Sequence, residues 1–252
     1  MNDQPSTTST RRTRPIIAID GPAGAGKSTL AAHLARRFGF LNLETGAMYR
    51  ALALKAIEGD LDFDEEGPLI ALAGDTRIRL EPQADGNRVI LDGIDVSRRV
   101  RDSDVTAAAS RVSVHPRLRA WMVDQQRALG ANGGVVMEGR DIGTTVFPDA
   151  EVKIFLDAAP EVRSNRRFRQ NTAASPATMG SASSIDDEQK REAQKALLEE
   201  MRERDRRDRN RSESPLRPAD DAVVLDSTAM DLAEVLSRAE EIVRTHLRPQ
   251  PE

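Results

Sequence analysis

The sequence predicts an α/β fold, a parallel sheet with helices on both faces. Short apolar runs rich in β-branched residues alternate with helical patterns along the chain. The first such run leads straight into a glycine-rich loop and a helix. The charged residues nearly cancel, so the chain reads as an ordinary globular domain with strictly local charged sites.

The elements follow in order. Residues 1–14 are polar, Ser/Thr-rich and basic, and are expected to be a disordered tail. Ile16–Ile19 reads as a buried parallel strand. Leu30, Leu34, Ala35 and Phe38 give helical spacing over Thr29–Phe38, with Gly39 as its C-cap. Leu41–Leu43, Val135–Met137, Val152–Leu156 and Ala222–Leu225 are further short strands. Helices are expected at Ala47–Glu58, Pro116–Leu129, Glu161–Gln170 and Ala229–His246. Arg77–Ser97 breaks the alternation and reads as an antiparallel hairpin turning at Asp85-Gly86-Asn87. Asn171–Ser184 is a low-complexity run of small and polar residues, expected to be a mobile loop. Asp186–Asn210 is a strong helix former ending before Ser214-Pro215.

Composition excludes several chemistries. The 252 residues contain no Cys, which removes disulfides, thiolate metal sites and thiol catalysis. Three scattered His residues do not suggest a multi-His metal site. With 37 basic against 41 acidic residues and a net charge of −4, a wholesale polyanion binder is not expected. No apolar run approaches the roughly 20 residues that span a bilayer, and no signal-peptide pattern follows the N-terminal arginines. The expectation is a cytoplasmic monomer, with no long apolar face left over and no nucleic-acid or membrane partner.

Gly21 to Ser28 matches G-x-x-x-x-G-K-S between an expected strand and an expected helix. Gly21, Pro22, Ala23, Gly24, Ala25 and Gly26 would let backbone N–H groups close on phosphate oxygens, at a helix N-terminus of positive potential. Lys27 would reach the β- and γ-phosphates, and the Ser28 hydroxyl would be placed on Mg²⁺, with Thr29 beside it. This predicts a nucleoside triphosphate site, and the lack of an N-K-x-D element argues against a GTPase.

The other concentrated signal is arginine, with 32 Arg against 5 Lys. Planar guanidiniums suit bidentate phosphate and base recognition. Thr45 is a candidate N-cap of a helix carrying Arg50. Glu138-Gly139-Arg140-Asp141 follows a strand at its carboxyl end, where open sheets bind ligands. Ser110, Arg117 and Arg119 flank a helix start at His115-Pro116. Residues 202–211 hold six Arg. On a helix, Arg204, Asp208 and Arg211 share one face, while Arg202, Arg206 and Arg209 lie on another.

Taken together, IDGPAGAGKST, LETGAMYR, EGRDIGTTVFPDA, KIFLDA, RERDRRDRNR and VLDST resemble the bacterial cytidylate kinases, a family of nucleoside monophosphate kinases. The resemblance runs from about Pro15 to Val243. It implies a P-loop core with a five-stranded parallel sheet, an antiparallel monophosphate-binding insert over about 60–105 and a helical lid over about 165–212. The kinase domain would span 15–245, with 246–252 a tail. It further implies transfer of the γ-phosphoryl group of ATP to CMP or dCMP, with Mg²⁺. Thr45, Arg50, Arg140, Arg204, Asp208 and Arg211 would hold the acceptor's phosphate and sugar. Ser110, Arg119 and Asp141 would read cytosine, and Arg206 and Arg209 would be lid arginines near the transferring phosphoryl, with Lys27 and Arg140. Asp141 can accept from the cytosine amine and Arg119 can donate to N3 and O2. Uracil would leave polar partners mismatched, at about 1–3 kcal/mol each. Thr45 and Glu138 stand where Ser and Asp are common in the family, and the 171–184 stretch lengthens the entrance to the lid. Two other readings remain at this stage. One is a kinase of UMP, AMP or shikimate. The other is an NTP-driven RNA-binding module using residues 202–211, which the acidic balance and sparse aromatics disfavour.

Overall fold

A computed structural model describes residues 12–83, 86–174 and 184–247. The chain runs β1 (Ile16–Asp20), α1 (Lys27–Phe38), β2 (Leu41–Glu44), α2 (Thr45–Glu58), α3 (Glu66–Gly74), β3 (Ile78–Gln83), β4 (Gly86–Leu91) and β5 (Ile94–Asp95). It continues through a 3₁₀ turn at Arg99–Arg101, α4 (Ser103–Val112), α5 (Pro116–Gly130), β6 (Val135–Gly139), a π turn at Ile142–Val146, β7 (Val152–Asp157), α6 (Pro160–Ala174), α7 (Ser184–Asn210), β8 (Val223–Asp226) and α8 (Leu232–Leu247).

The five apolar runs form one parallel sheet in the order β2-β6-β1-β7-β8. Strand β1 is its centre, buried along its whole length. The two-residue pleat period sends its side chains to opposite layers. Ile16 and Ala18 pack with Met48, Leu52, Val105 and Met122 beneath α2, α4 and α5. Ile17 and Ile19 pack with Leu30, Leu34, Ala239 and Val243 beneath α1 and α8. A doubly covered strand needs apolar residues at every position, which explains the unbroken Ile16–Ile19 run.

Most expected elements stand within a few residues of their reading, and Gly39 caps α1 in the left-handed region at φ 68. Five points differ. The Arg77–Ser97 insert has a third strand, β5, paired antiparallel to β4. Its Gly86 and Asn87 belong to β4, not to a turn, and residues 84–85 lie outside the described residues. Helices α3 and α4 were not expected. Asn171–Ala174 continues α6 and Ser184 opens α7, so the expected loop is shorter at both ends; residues 175–183 lie outside the described residues. Lastly, part of the expected N-terminal tail is docked. Arg12 donates to Asp149 O at 2.6 Å and Arg14 to Gly39 O at 2.6 Å, and their guanidiniums lie over the Phe147 and Phe40 rings. Residues 1–11 and 248–252 lie outside the described residues.

Besides the apolar packing of Leu80, Val89 and Leu91 in one core cluster with Leu43, one polar side chain ties the insert to the sheet edge. The Asn87 amide accepts from Glu44 N at 2.8 Å and donates to Asn42 O at 2.7 Å, standing in for a strand against β2.

Candidate active site

The loops at the carboxyl ends of β1, β2 and β6 open into one cleft of about 730 Å³, the position where parallel sheets bind ligands. Its floor is the turn from β1 to α1. Gly26 reaches α1 in the left-handed region, at φ 100, and delivers Lys27 as the first helical residue. Ala23 through Thr29 line the cleft, while Gly21 and Pro22 lie behind it. Lys27 is buried and its Nζ donates to Pro22 O at 2.8 Å. Burial, with the positive charge of Arg140 next, brings the ammonium down to about 7. A phosphate there would restore its charge. Ser28 Oγ donates to Glu138 Oε1 at 2.5 Å. Burial, with the Glu44 carboxylate adding to it, pushes Glu138 above the usual carboxylate range.

Asp20 ends β1 beneath this floor. Its carboxylate accepts from Ile142 N at 2.8 Å and Gly143 N at 2.7 Å, and so fixes the turn that carries Asp141. Burial pushes this carboxyl up to about 6 against those two hydrogen bonds.

The opposite wall is built from arginines, three of them held by carboxylates. Arg50 on α2 donates to Glu44 at 2.5 Å, and Arg140 after β6 donates to Asp208 on α7 at 2.9 Å. Arg119 on α5, only 3% exposed, bonds directly to Asp141 and lies over the Tyr49 ring at 5.9 Å. Burial pushes the Tyr49 phenol up to about 12. Burial also lowers Arg204 to about 10, with Arg140 acting the same way. For Asp208, burial is outweighed by Arg140, Arg204 and Arg211, and its carboxyl sits below the usual range.

Several donors on this wall have no partner in the protein. Arg50 Nε, Arg119 Nε, Arg204 Nε, Arg211 Nη2 and Ser110 Oγ are all buried and unpaired. Among the described residues twelve buried side-chain atoms lack a partner, and four of them are nitrogens of arginines that line this one cleft, where an anionic, hydrogen-bonding ligand would satisfy them.

Thr45, Arg50, Arg119, Arg140, Asp141, Arg204, Asp208 and Arg211 all line the cleft. Thr45 differs from its expected role. Glu44 is the capping residue, and Thr45 opens α2 with its hydroxyl donating to Glu138 O at 2.7 Å. Ser110 lies behind the lining. Arg206 and Arg209 are not brought to the cleft: Arg206 pairs with Glu203 on the outer side of α7, and Arg209 sits 3.7 Å from Asp157. Arg211 lies just past the end of α7. Three arginines that sequence reasoning passed over, Arg101, Arg166 and Arg167, line the cleft instead. Arg166 is aimed by hydrogen bonds to Ser227 O at 2.8 Å and Ser227 Oγ at 3.0 Å. The signal for it was present, since VLDST had already marked Ser227, but no local pattern joins α6 to that loop.

Behind the lining, Arg163 on α6 is 2% exposed and donates to Ala158 O at 2.8 Å, Ala23 O at 2.8 Å and Asp205 Oδ2 at 2.5 Å. No helix among the described residues is long and apolar enough to cross a membrane.

A phosphate loop at the switch point of a five-stranded parallel sheet, faced by a wall of guanidiniums, defines a P-loop kinase. Comparison with known proteins narrows the class. The family model described as Cytidylate kinase matches residues 17–245. The cytidylate kinase of Pelotomaculum thermopropionicum is 48% identical over 88% of this chain and 92% of its own length. That of Geobacillus thermodenitrificans is 46% identical over 93% and 98%, and that of Aeromonas hydrophila 45% identical over 88% and 90%. The chain belongs to the cytidylate kinase family.

Proposed function

We propose that the chain transfers the γ-phosphoryl group of ATP to CMP or dCMP, giving ADP and CDP or dCDP. The observation that carries this reading is the pairing, in one cleft, of a phosphate loop ending in Lys27 with a facing wall of buried, unpaired arginine donors. Two phosphate groups held this way face each other, as in-line transfer requires.

ATP would lie along Gly21–Thr29 with its β- and γ-phosphates on the backbone N–H groups and on Lys27. The acceptor phosphate and sugar would take Thr45, Arg50, Arg140, Arg204, Asp208 and Arg211. Cytosine would face Ser110, Arg119 and Asp141. The acceptor phosphate is already anionic, so no side chain has to act as nucleophile. Positioning and charge neutralisation carry the rate. The two arginines we place nearest the transferring group, Arg206 and Arg209, lie outside the cleft lining. Their role therefore requires movement of the 165–212 segment as a lid over ATP, with expulsion of water. Residues 60–105, built around the antiparallel β3-β4-β5 sheet, would close over the acceptor.

Magnesium takes hard oxygen donors and is commonly held by one or two side chains plus substrate phosphates. The Ser28 hydroxyl and the Glu138 carboxylate in contact with it fit that donor set. Among the described residues no cluster of three or more acidic or His side chains offers an all-protein cage. Bound there, the ion would neutralise β- and γ-phosphate charge. The same reading makes the enzyme a cytoplasmic monomer acting on free nucleotides, with both walls of the cleft supplied by one chain. Free nucleotides, and not nucleic acid, are the partners of this reading, in keeping with the balance of 37 basic against 41 acidic residues.

The test is to incubate the protein with ATP and Mg²⁺ and each nucleoside monophosphate in turn, then measure ADP. ADP formation that depends on CMP or dCMP is expected. Equal turnover with UMP or AMP would remove the base assignment, and RNA-stimulated hydrolysis without any monophosphate would remove the kinase reading.

A further inference from the structure

Arg163 is a buried arginine that does not itself line the cleft, yet it joins both of its walls. Its three nitrogen groups each serve a different element: Nε the end of β7 at Ala158 O, Nη1 the phosphate loop at Ala23 O, and Nη2 helix α7 at Asp205. Around this bond α7 is packed directly on the loop. A Cβ at Gly24 would stand 2.7 Å from Met201 Cε and 3.4 Å from Arg163 Cβ. Met201 and Asp205 are buried one turn apart on α7. Arg204 precedes Asp205 and Asp208 follows three residues on, and both line the acceptor wall.

Burying a guanidinium and a carboxylate is costly, and well-packed apolar residues often stabilise as much or more. Stability alone therefore gives little reason for the pair. A planar fork does what a methyl group cannot: it sets direction, holding three acceptors in fixed relation. We infer that Arg163 is a positioning residue, a buried fork that holds the acceptor face of α7 in register with the phosphate loop and thereby sets the spacing of the two phosphates. This inference rests on the kinase reading above. A displacement of about 1 Å between reacting groups can cost about 10²-fold in rate, so a small tilt of α7 on the loop would be visible in kcat.

The experiment compares three variants with the parent. Arg163→Met alone strands Asp205 and is expected to lower Tm. The double variant Arg163→Met/Asp205→Leu removes both charges and is expected to regain Tm. If the pair only holds the fold together, kcat returns with Tm. If Arg163 positions α7, kcat stays at least tenfold down while the KM for ATP moves less than about threefold, with the phosphate loop itself intact. Arg163→Lys keeps a charge for Asp205 but loses the fork, and is expected to fold while showing the same loss of kcat. A double or Lys variant matching the parent in both Tm and kcat would overturn the inference. A second readout needs no acceptor. ATP with Mg²⁺ alone should slow amide exchange over residues 201–210 in the parent, and that protection should be lost in Arg163→Lys. Equal protection in both would overturn the inference whether or not CMP is the acceptor, whereas absent CMP-dependent ADP in the parent would overturn only the kinase reading.

Discussion

Arg119 and Asp141 are bonded to each other across the cleft, both almost fully buried, with the Tyr49 ring beneath the guanidinium. Each arrives from a different element, α5 and the end of β6, so the pair is a product of the fold and not of local sequence. Burial disfavours the charge on Arg119, but Tyr49 and Asp141 outweigh it and hold its pKa above the ordinary value.

The pair's proposed work is base reading, and Asp141→Asn tests it. The amide keeps the shape and leaves Arg119 an oxygen acceptor, so the variant should fold. It should lose discrimination worth about 1–3 kcal/mol. The expected outcome is a fall of about tenfold or more in the ratio of kcat/KM for CMP over UMP, with the KM for ATP little changed. An unchanged ratio would remove Asp141 from base recognition.

Lys27→Met separates chemistry from folding. Burial already brings the ammonium down to about 7, so the native state disfavours this charge, and an isosteric apolar chain should leave Tm equal to or above that of the parent. Phosphoryl transfer to any acceptor should fall by about 10³-fold or more, because charge on the β- and γ-phosphates is then left without its side-chain cation. ADP release assays with several monophosphates check this.

Asp20 makes stability depend on pH. Its folded carboxyl titrates near 6 against a reference of 3.8. A raised folded pKa means that the native state holds the proton more tightly. The contribution is fully present below about 3.8 and disappears as pH rises through about 6. The difference amounts to about 3 kcal/mol. Urea unfolding of the parent and of Asp20→Asn between pH 4 and 7.5 should show the parent losing this margin relative to the variant as pH increases. A pH-independent difference would place the Asp20 proton elsewhere.

Gly21 sits at φ 147, and a Cβ there would meet Leu156 O at 2.0 Å. Gly21→Ala therefore combines backbone strain with a clash against the neighbouring strand. A loss of about 2–4 kcal/mol is expected, which for a chain of this size lowers Tm by about 5–15 °C. Calorimetry checks it, and an unchanged Tm would show that β7 yields at Leu156.

Legibility in the sequence followed the range of the interactions. The β1–loop–α1 unit is written in thirteen consecutive residues from Ile16 to Ser28, and both its strand and its loop could be read there. Helical phase likewise put Arg204, Asp208 and Arg211 on one side of α7. Which side faces the cleft depends on Met201 and Asp205 seating against Gly24 and Arg163, and nothing local records that. The same limit hid Arg101, Arg166 and Arg167, which look like any surface arginines until distant strands bring them together. Helix α3 escaped notice for another reason. Gly67 and Pro68 in its first turn mimic a loop, and only Leu69 and Ala73 of it are buried, too few to set a period. Helix α4 is amphipathic, burying Val105, Ala108, Ala109 and Val112 on one side, and it was legible in the sequence but passed over beside the hairpin.

The Asn87 amide also has a bearing on how the molecule behaves in company. Strand β2 is an outer strand, and an outer strand's unpaired N–H and C=O groups invite a foreign chain to add on. By engaging Glu44 N and Asn42 O, one side chain from the insert occupies that ladder position. The clasp that seats the insert thereby also closes one rung of the sheet's open edge to any added strand.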